Sequence, residues 1–377
     1  MKRLPLLGIL AAILSPFAFR LSPFAFHLSP FAIAATVVLA AAPAAAQELP
    51  LPAKITASTV QLQGAGATLP APLYDKWIMV YRHDHPGISI GYDAVGSGEG
   101  IKRFIAGAVD FGASDSAMQD SEIAQVQRGV RLVPATAGMV VLAYNLPDLK
   151  GELKLKREVY LDIFAGKIRD WDDPRIKASN PNLALPHKTI AVVVRLDSSG
   201  TTYAFTNHLS AISAEWRDRG PGVGKVIGWP GGAMVARGNE GVATRIKISD
   251  GAIGYLEYGF AKRLNLPMAW LENKAGHFIQ PDAQSGQQAL LNGSAAAPDS
   301  LRMFIPDPEG ETAYPIVTYS WLLLYDQYPD AAKLAALKDF VSWALGEGQR
   351  YSVELGYIPL PQPVAAQALK RVEGIHP

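Results

Sequence analysis

The chain has 377 residues, of which 49% are hydrophobic and 18% charged, so it can bury a sizeable core and is long enough for two domains. Its formal net charge of +1 argues against a nucleic-acid-binding surface, because such surfaces need a basic excess. The chain has no cysteine, which excludes disulfides, thiol chemistry and a lipoprotein anchor.

Residues 1–46 differ from the rest of the chain. Lys2 and Arg3 precede a long apolar run that ends in three alanines, a pattern that signal peptidase cleaves. A transmembrane helix is disfavoured, because three prolines interrupt the run and the cleavage pattern follows it directly. We therefore expect a signal peptide over residues 1–46, cleaved near Ala46–Gln47, and export to the periplasm. The chain without this segment has a formal net charge of −2.

Short apolar segments alternate with helical patterns after this segment, which predicts α/β units around mainly parallel sheets. Strands are predicted at residues 88–92, 138–144, 189–195 and 252–256. Helices, with apolar residues at three-and-four spacing, are predicted at residues 72–81, 100–105, 158–164, 202–209 and 331–343. Two stretches rich in Gly, Pro and Asn, 219–241 and 275–300, are expected to be loops.

Three segments place small or hydroxylated residues directly before a predicted helix. They are Gly64–Pro72, in which Thr68 is the expected helix cap, Gly96–Gly100 and Asp197–Thr202. A helix N-terminus offers unpaired backbone N–H groups and the positive end of the helix dipole, which together suit an anion. Each segment alone is ordinary capping. Three of them converging near one arginine would form a cage for phosphate or sulfate.

Arg195 ends a predicted strand, and Asp197 follows two residues later, so both side chains can lie on one face. The two residues form either a structural ion pair or a guanidinium held by a carboxylate and presented to a tetrahedral oxyanion. Asp115 ends another short strand. A carboxylate beside a bound anion is unfavourable unless the ligand carries a proton for it to accept, and this condition separates hydrogen phosphate from sulfate.

Together these segments resemble the periplasmic phosphate-binding proteins of ABC transporters, in the order of that family. The resemblance covers essentially the whole chain after residue 46 and rests on Gly64–Thr68, Gly96–Ser97, Asp110–Asp115, Arg195 with Ser199–Thr201, and Gly251–Tyr255. It implies an α/β class II periplasmic-binding-protein fold, with two lobes joined by a two-crossing hinge. Lobe I would comprise residues 47–137 and 316–377, and lobe II would comprise residues 138–315.

The resemblance also implies the residues of the site. The expected phosphate-binding residues are Thr68, Leu69, Ser97, Asp115, Arg195, Ser199, Gly200 and Thr201, with Asp197 bracing the arginine. Three positions depart from the family pattern, and two of them, Gly98 and Glu99, replace the smaller hydroxyl and glycine residues seen in some relatives. Leu69 stands where relatives often have Phe, which matters little if the contact there is the backbone N–H. Glu99 adds a carboxylate near the anion, and we expect it to point to solvent in the first turn of its helix.

The function implied by the resemblance is high-affinity binding of inorganic phosphate in the periplasm and its delivery to the membrane permease subunits of an ABC importer. We expect a monomer with no cofactor, no metal and no enzymatic activity. One alternative is a weak phosphomonoesterase that uses Ser97 or Thr68 as nucleophile, but no general base or metal cluster is evident. A second alternative is a receptor for another oxyanion such as sulfate or molybdate, which Asp115 argues against.

Two other signals have simpler explanations. His83-Asp84-His85 could suggest a metal site, but it lies at the end of a predicted helix without further matched ligands, so a solvated helix end is expected. The aromatic stretch Tyr319–Tyr328 is expected to fill the core rather than to form a stacking platform.

Overall fold

A computed structural model of the protein describes residues 60–293 and 298–377. The expected signal peptide and its cleavage site lie outside these residues. Within the described part of the chain, no helix combines the length and the hydrophobicity needed to cross a membrane.

The described residues form alternating strands and helices. The strands are β1 (Val60–Gly66), β2 (Ile88–Ala94), β3 (Phe111–Ser114), β4 (Arg131–Tyr144), β5 (Lys154–Leu155), β6 (Ala191–Arg195), β7 (Met234–Ala236), β8 (Ala252–Glu257), β9 (Trp270–Glu272), β10 (Phe278–Ile279) and β11 (Val317–Leu324). The helices are α1 (Ala71–Asp84), α2 (Ser97–Ile105), α3 (Asp120–Ile123), α4 (Arg157–Phe164), α5 (Pro174–Ser179), α6 (Gly200–Ile212), α7 (Ala214–Asp218), α8 (Gly238–Ile248), α9 (Tyr258–Arg263), α10 (Ala283–Gly293), α11 (Ala331–Leu345), α12 (Ser352–Leu355) and α13 (Gln362–Glu373), with a 3₁₀ turn at Glu347–Tyr351.

The main sheet is mixed rather than mainly parallel. Its strand order is β2-β1-β3-β11-β4-β8-β6-β7, and a small second sheet has the order β10-β9-β5. Strand β1 is parallel to β2 and β3 at one end, and β6 is parallel to β7 and β8 at the other. The antiparallel strands β11 and β4 join these two parallel groups. The predicted α/β units are therefore present, and the antiparallel centre was not predicted.

Strand β4 changes its partner partway along its length. Residues up to Met139 pair with β11, whereas residues from Val140 onward pair with β8. The backbone N–H of Val140 also donates to the carbonyl of Ile316, directly before β11, at 2.9 Å. The chain therefore crosses twice between the two parallel groups of strands, and the two crossings are adjacent.

The two central strands hold much of the core. All residues of β11 are buried, and so are all residues of β4 after Arg131. This explains why these strands read as nearly continuous apolar runs instead of alternating patterns. The aromatic side chains of residues 319–328 are buried, as predicted, at Tyr319, Trp321, Tyr325 and Tyr328.

Each predicted strand and helix coincides with an observed one, with its ends moved. The two predicted loops were wrong in part: residues 219–241 contain β7 and the start of α8, and residues 275–300 contain β10 and α10. Strands β7 and β10 have three and two residues, so they exist through pairing with β6 and β9 rather than through a local pattern. The His83 segment lies at the exposed end of α1, as expected.

Candidate functional site

The predicted site residues lie at the carboxyl ends of strands in the main sheet. Thr68 follows β1 and Asp115 follows β3, and these parallel neighbours end at the same edge of the sheet. Ser97 begins α2 after β2, which is parallel to β1. Arg195 ends β6, which belongs to the other parallel group. Ligand sites in α/β sheets commonly form at such carboxyl ends.

Residues from the two parallel groups are in direct contact at this edge. The N–H of Gly98 donates to the carbonyl of Ser198 at 2.9 Å. A Cβ placed on Gly200 would stand 2.5 Å from the Ser97 Oγ and 2.6 Å from the Asp115 Cβ. The N–H of Gly96 also donates to the carbonyl of Gly66, in the first predicted segment, at 2.8 Å. The three loop segments predicted from the sequence therefore converge at one place.

Arg195 and Asp197 form a buried ion pair, with side chains 1% and 7% exposed. The Arg195 Nε donates to Oδ1 of Asp197 at 2.9 Å, and its Nη2 donates to Oδ2. Burial alone would raise the pKa of Asp197, but the Arg195 hydrogen bonds and charge, with the N–H of Gly238, hold that pKa below its usual range. The pair fixes the guanidinium in one orientation, and its Nη1 donates to the Thr201 hydroxyl at 3.2 Å.

The start of α6 lies next to this ion pair. Ser199 caps the helix, because its Oγ accepts the N–H of Thr202 at 3.0 Å. The first N–H groups of α6, at Gly200 and Thr201, have no acceptor within the helix, as at any helix start. The Tyr255 hydroxyl, from the last motif of the family resemblance, contacts the Thr202 hydroxyl at 2.7 Å and accepts the Arg195 N–H at 3.2 Å.

Asp115 contributes a buried carboxyl group to the site. The residue is 2% exposed, and its N–H donates to the Ser97 hydroxyl at 3.1 Å. Its Oδ1 is buried and has no hydrogen-bond partner in the described part of the chain. Burial raises the pKa of Asp115 to about 7, although the Ser320 hydroxyl and the Arg195 charge act against this rise. A buried carboxyl oxygen without a partner is costly, so this oxygen is suited to a ligand that donates a hydrogen bond.

Thr68 and Leu69 occupy the turn between β1 and α1. Thr68 is not the helix cap that the sequence suggested: α1 begins at Ala71 with Pro70 at the cap position. Because Pro70 takes that place, the Thr68 hydroxyl is free to accept hydrogen bonds from Asn239. Leu69 is fully buried, and its carbonyl accepts the hydroxyl of Tyr357 at 2.7 Å.

Asn239 is a site residue that the sequence analysis missed. It lies in the first turn of α8 and is fully buried. Its Nδ2 donates to the hydroxyls of Thr68 and Thr201, at 3.1 and 3.2 Å, and so joins two of the predicted loops. The sequence does contain a signal, because Gly238-Asn239 stands before apolar residues spaced four apart, a pattern typical of a helix start. This pair lies within residues 219–241, which are predicted to be a loop.

A cleft of about 730 Å³ opens beside these residues and includes Thr68 and Asp197 in its lining. Glu99 lines this cleft in the first turn of α2, with a side chain 41% exposed. Its carboxylate pairs with Arg103 at 3.0 Å. Glu99 is therefore solvent-accessible, as expected, and its charge is also balanced within the cleft. The other charged residues of the lining are Lys102, Glu122, Lys225 and Arg237.

The site combines a guanidinium fixed by Asp197, hydroxyl groups, the start of a 13-residue helix and the buried carboxyl of Asp115. These groups can surround a tetrahedral oxyanion and accept one hydrogen bond from its O–H group. Residues 60–293 and 298–377 contain no group of three or more His, Asp or Glu side chains positioned to hold a metal ion.

Comparison with known proteins gives relatives over most of the chain. Residues 52–347 match the model of a family described as the PBP superfamily domain. The chain is 40% identical over 311 residues to the phosphate-binding protein PstS of Pasteurella multocida, a match that covers 82% of this chain and 89% of the relative. It is 37% identical over 340 residues to PstS of Methanocaldococcus jannaschii, covering 84% of this chain and 87% of the relative.

Solved structures support the same fold. A high-affinity periplasmic phosphate-binding protein bound with phosphate has a TM-score of 0.67 at 23% identity, and the match covers 81% of this chain and 92% of that one. A phosphate-binding protein from Stenotrophomonas maltophilia has a TM-score of 0.63 at 20% identity, with 82% and 93% covered. These neighbours confirm the predicted periplasmic-binding-protein fold. The chain therefore belongs to the PBP superfamily and, within it, to the family of the PstS phosphate-binding proteins.

Proposed function

We propose that this protein binds inorganic phosphate with high affinity and delivers it to the membrane permease of an ABC importer. The observation that carries the proposal is that the start of α6 lies beside two groups of opposite character: the Arg195 guanidinium, which donates to Thr201, and Asp115, which lies against Gly200 and has an unpartnered carboxyl oxygen. A phosphate that retains one proton suits both groups, because it accepts from the arginine and donates to the carboxylate. The relatives named phosphate-binding protein PstS support this function.

Eight residues are proposed to bind the phosphate, and Asp197 is proposed to hold Arg195 in place. The convergence of their loops supports this assignment. Leu69 is expected to contribute through its backbone N–H, because its side chain is buried against Gly138. The proposed ligand-binding residues are Thr68, Leu69, Ser97, Asp115, Arg195, Ser199, Gly200 and Thr201.

The proposed location is the periplasm, with the protein acting as a monomer. The apolar run and cleavage pattern of residues 1–46 support export. Solved neighbours support the transport role, since one is described as an ABC-type phosphate transport receptor from Vibrio cholerae. A pull-down from membranes tests this role directly. The protein should capture the permease subunits when phosphate is present and not when it is absent.

The proposed lobes are residues 47–137 with 316–377, and residues 138–315. The change of partner along β4 at Met139 and Val140 supports a boundary there. The hydrogen bond between Val140 and Ile316 supports a second crossing beside the first. Closure of two such lobes would enclose the ligand.

Isothermal titration calorimetry with phosphate and with sulfate tests the proposed function. Phosphate should bind with a Kd of about 1 μM or tighter, equivalent to roughly −8 kcal/mol. Sulfate should give no measurable heat under the same conditions. A protein that is folded but does not bind phosphate would contradict the proposal.

We also infer that the protein is not an enzyme. Ser97 lies beside Asp115, so a carboxyl group that could take the serine proton is present. The described part of the chain contains no cluster of side chains placed to hold a metal ion that would assist the reaction. Hydrolysis of p-nitrophenyl phosphate should therefore be undetectable. Turnover that disappears in Ser97→Ala would favour the phosphomonoesterase alternative.

A further inference from the structure

The hydroxyls of Thr68 and Thr201 are each surrounded by N–H donors. Thr68 Oγ1 accepts from the Asn239 side chain at 3.1 Å and from the Asn239 backbone N–H at 3.4 Å. Thr201 Oγ1 accepts from the Asn239 side chain and from Arg195, both at 3.2 Å. A hydroxyl has two lone pairs and one proton. Both lone pairs of both threonines are therefore occupied.

The orientation of the Asn239 amide is fixed by a third contact. Its Oδ1 accepts the backbone N–H of Glu257 at 3.0 Å. An N–H can only donate, so the oxygen must face Glu257 and the NH₂ group must face the two threonines. Glu257 is held in turn, because its side-chain Oε1 accepts the N–H of Gly259 at the start of α9. The amide cannot turn over without losing the Glu257 bond.

Each threonine proton must therefore find an acceptor away from Asn239. Among residues 60–293 and 298–377, neither hydroxyl donates to a protein acceptor. Thr68 is 8% exposed and Thr201 is fully buried, which limits the access of bulk water. Buried donors without an acceptor are costly, so the two protons indicate an acceptor supplied by the ligand.

We propose that Asn239 is a positioning residue that makes Thr68 and Thr201 obligatory hydrogen-bond donors to the bound phosphate. The inference rests on the proposed function and deepens it. Asn239 acts through the hydroxyls of the two threonines. It fills their acceptor sites, so that their protons point to the anion. Because Thr68 belongs to proposed lobe I and Asn239 to lobe II, the same contact holds the lobes together.

Two substitutions of Asn239 separate this role from simple packing. In Asn239→Ala the threonine protons are no longer directed, and phosphate affinity should fall by about tenfold, the value of roughly one net hydrogen bond, mainly through faster dissociation. In the isosteric Asn239→Asp the carboxylate still accepts from Glu257 but also accepts from the threonines, turning their protons away. The affinity of Asn239→Asp should therefore be lower than that of Asn239→Ala.

The relative phosphate affinities of the two variants distinguish a positioning role of Asn239 from simple packing. If Asn239 only fills space, the isosteric aspartate should bind phosphate better than the alanine variant. Asn145→Asp is the matched control for the same chemical change, because Asn145 is in an exposed contact with the Lys247 carbonyl. Its phosphate affinity should equal that of the wild type. Stopped-flow kinetics and calorimetry give the affinities and dissociation rates.

A double-mutant cycle with Thr68→Val separates the action through Thr68 from any direct effect of charge or folding. In the Thr68→Val background, Asn239→Ala and Asn239→Asp should each cost less affinity than in the wild type, whereas a direct effect of the aspartate charge on the anion would leave the Asn239→Asp loss unchanged. Fully additive losses would overturn the inference, and so would Asn239 variants within twofold of the wild type. If the wild type itself fails to bind phosphate, the proposed function is wrong and this inference falls with it. If only the Asn239 results differ, the proposed function stands.

Discussion

Gly200 lies directly against Asp115: a Cβ at position 200 would stand 2.6 Å from the Asp115 Cβ and 2.9 Å from its Cα. Contacts this short do not occur between real side chains, and the second of the two atoms is backbone, which cannot move aside. Glycine at the first position of α6 therefore allows the helix start and the buried carboxyl to approach the same ligand. The approach joins the β6 side of the sheet to the β3 side.

Gly200→Ala should weaken phosphate binding by at least tenfold. The added methyl group would hold α6 away from Ser97 and Asp115, and overpacking of this kind costs about 1–3 kcal/mol. Calorimetry with phosphate measures the loss. Gly228→Ala is the matched control, because a Cβ at Gly228 meets nothing within 4 Å. Equal affinities for the two alanine variants would show that the close approach is unimportant for binding.

Arg195→Ala should abolish phosphate binding or weaken it severely while the protein stays folded. Loss of one partner of a desolvated charge pair costs about 2–5 kcal/mol, or roughly 30-fold to several thousand-fold in affinity. Calorimetry and circular dichroism together separate binding from folding. Affinity like that of the wild type in a folded variant would remove Arg195 from the site.

Two further variants control for the buried charge that Arg195→Ala leaves behind. The double variant Arg195→Ala/Asp197→Ala removes both charges, so it should recover stability but not phosphate binding. Arg217→Ala removes an exposed arginine that pairs with Asp218 and does not line the cleft. Its effect on affinity should be small, because a solvent-exposed ion pair is screened and weak.

Much of the site could be predicted because its residues come in short local segments. Gly96–Gly100 and Asp197–Thr202 each join a strand end to a helix start, and local sequence specifies such junctions well. Asn239 could not be found in this way. Its partners are 171 and 38 residues away at Thr68 and Thr201, so its role depends on how distant segments meet in the folded chain.

The fold shows the same division between local and distant information. Five helices (α1, α2, α4, α6 and α11) and the parallel strands β2, β6 and β8 were predicted from their local patterns, whereas β1 was not predicted and β7 fell in an expected loop. The first part of β4 and strand β11 were not predicted either, because two antiparallel strands buried on both faces lack an alternating pattern. Pairing between β4 and β11 joins segments far apart in the sequence, so it follows from the tertiary structure alone.

Closure of the two proposed lobes should be visible in solution. Glu122, in proposed lobe I, and Lys225, in lobe II, form an ion pair at 2.7 Å. Because the chain has no cysteine, cysteines introduced at these two positions can be spin-labelled selectively. Phosphate should shorten the distance between the labels, and small-angle scattering of the wild type should show a smaller radius of gyration. Unchanged distances and radius at saturating phosphate would argue against the hinge.

Glu257 should make the stability of the protein depend on pH. Burial raises its pKa to about 8, although the N–H groups of Gly259 and Phe260 and the charge of Arg263 act against this rise. Because the folded pKa lies above the unfolded value of about 4.5, the folded state holds the proton more tightly. The stabilisation is complete below the unfolded pKa and is lost as the pH rises through about 8.

Urea unfolding of the wild type and Glu257→Gln at several pH values between 5 and 9 measures this contribution. The stability of the wild type relative to the variant should fall with pH, by at most about 1.4 kcal/mol per pH unit. Glu99→Gln, which removes a partly exposed carboxylate, is the comparison. A constant difference between wild type and Glu257→Gln would mean that Glu257 does not titrate in this range.

Asp115 should set the selectivity for phosphate over sulfate. Its buried Oδ1 can accept a hydrogen bond from the O–H of hydrogen phosphate, whereas fully ionised sulfate presents only acceptors. A site built around a ligand hydroxyl can reject an analogue that lacks it by roughly 10⁴–10⁵-fold, because a buried acceptor then faces another anion. Asp115→Asn, which can donate as well as accept, should keep phosphate binding and gain measurable sulfate binding.

Because burial raises the pKa of Asp115 to about 7, the wild type should also bind sulfate better as the pH falls below that value and the carboxyl becomes protonated. Calorimetry with both anions at pH 5.5 and 8 tests this mechanism. It is wrong if the wild type at pH 8 already binds sulfate within about tenfold of phosphate, a difference of roughly 1.4 kcal/mol.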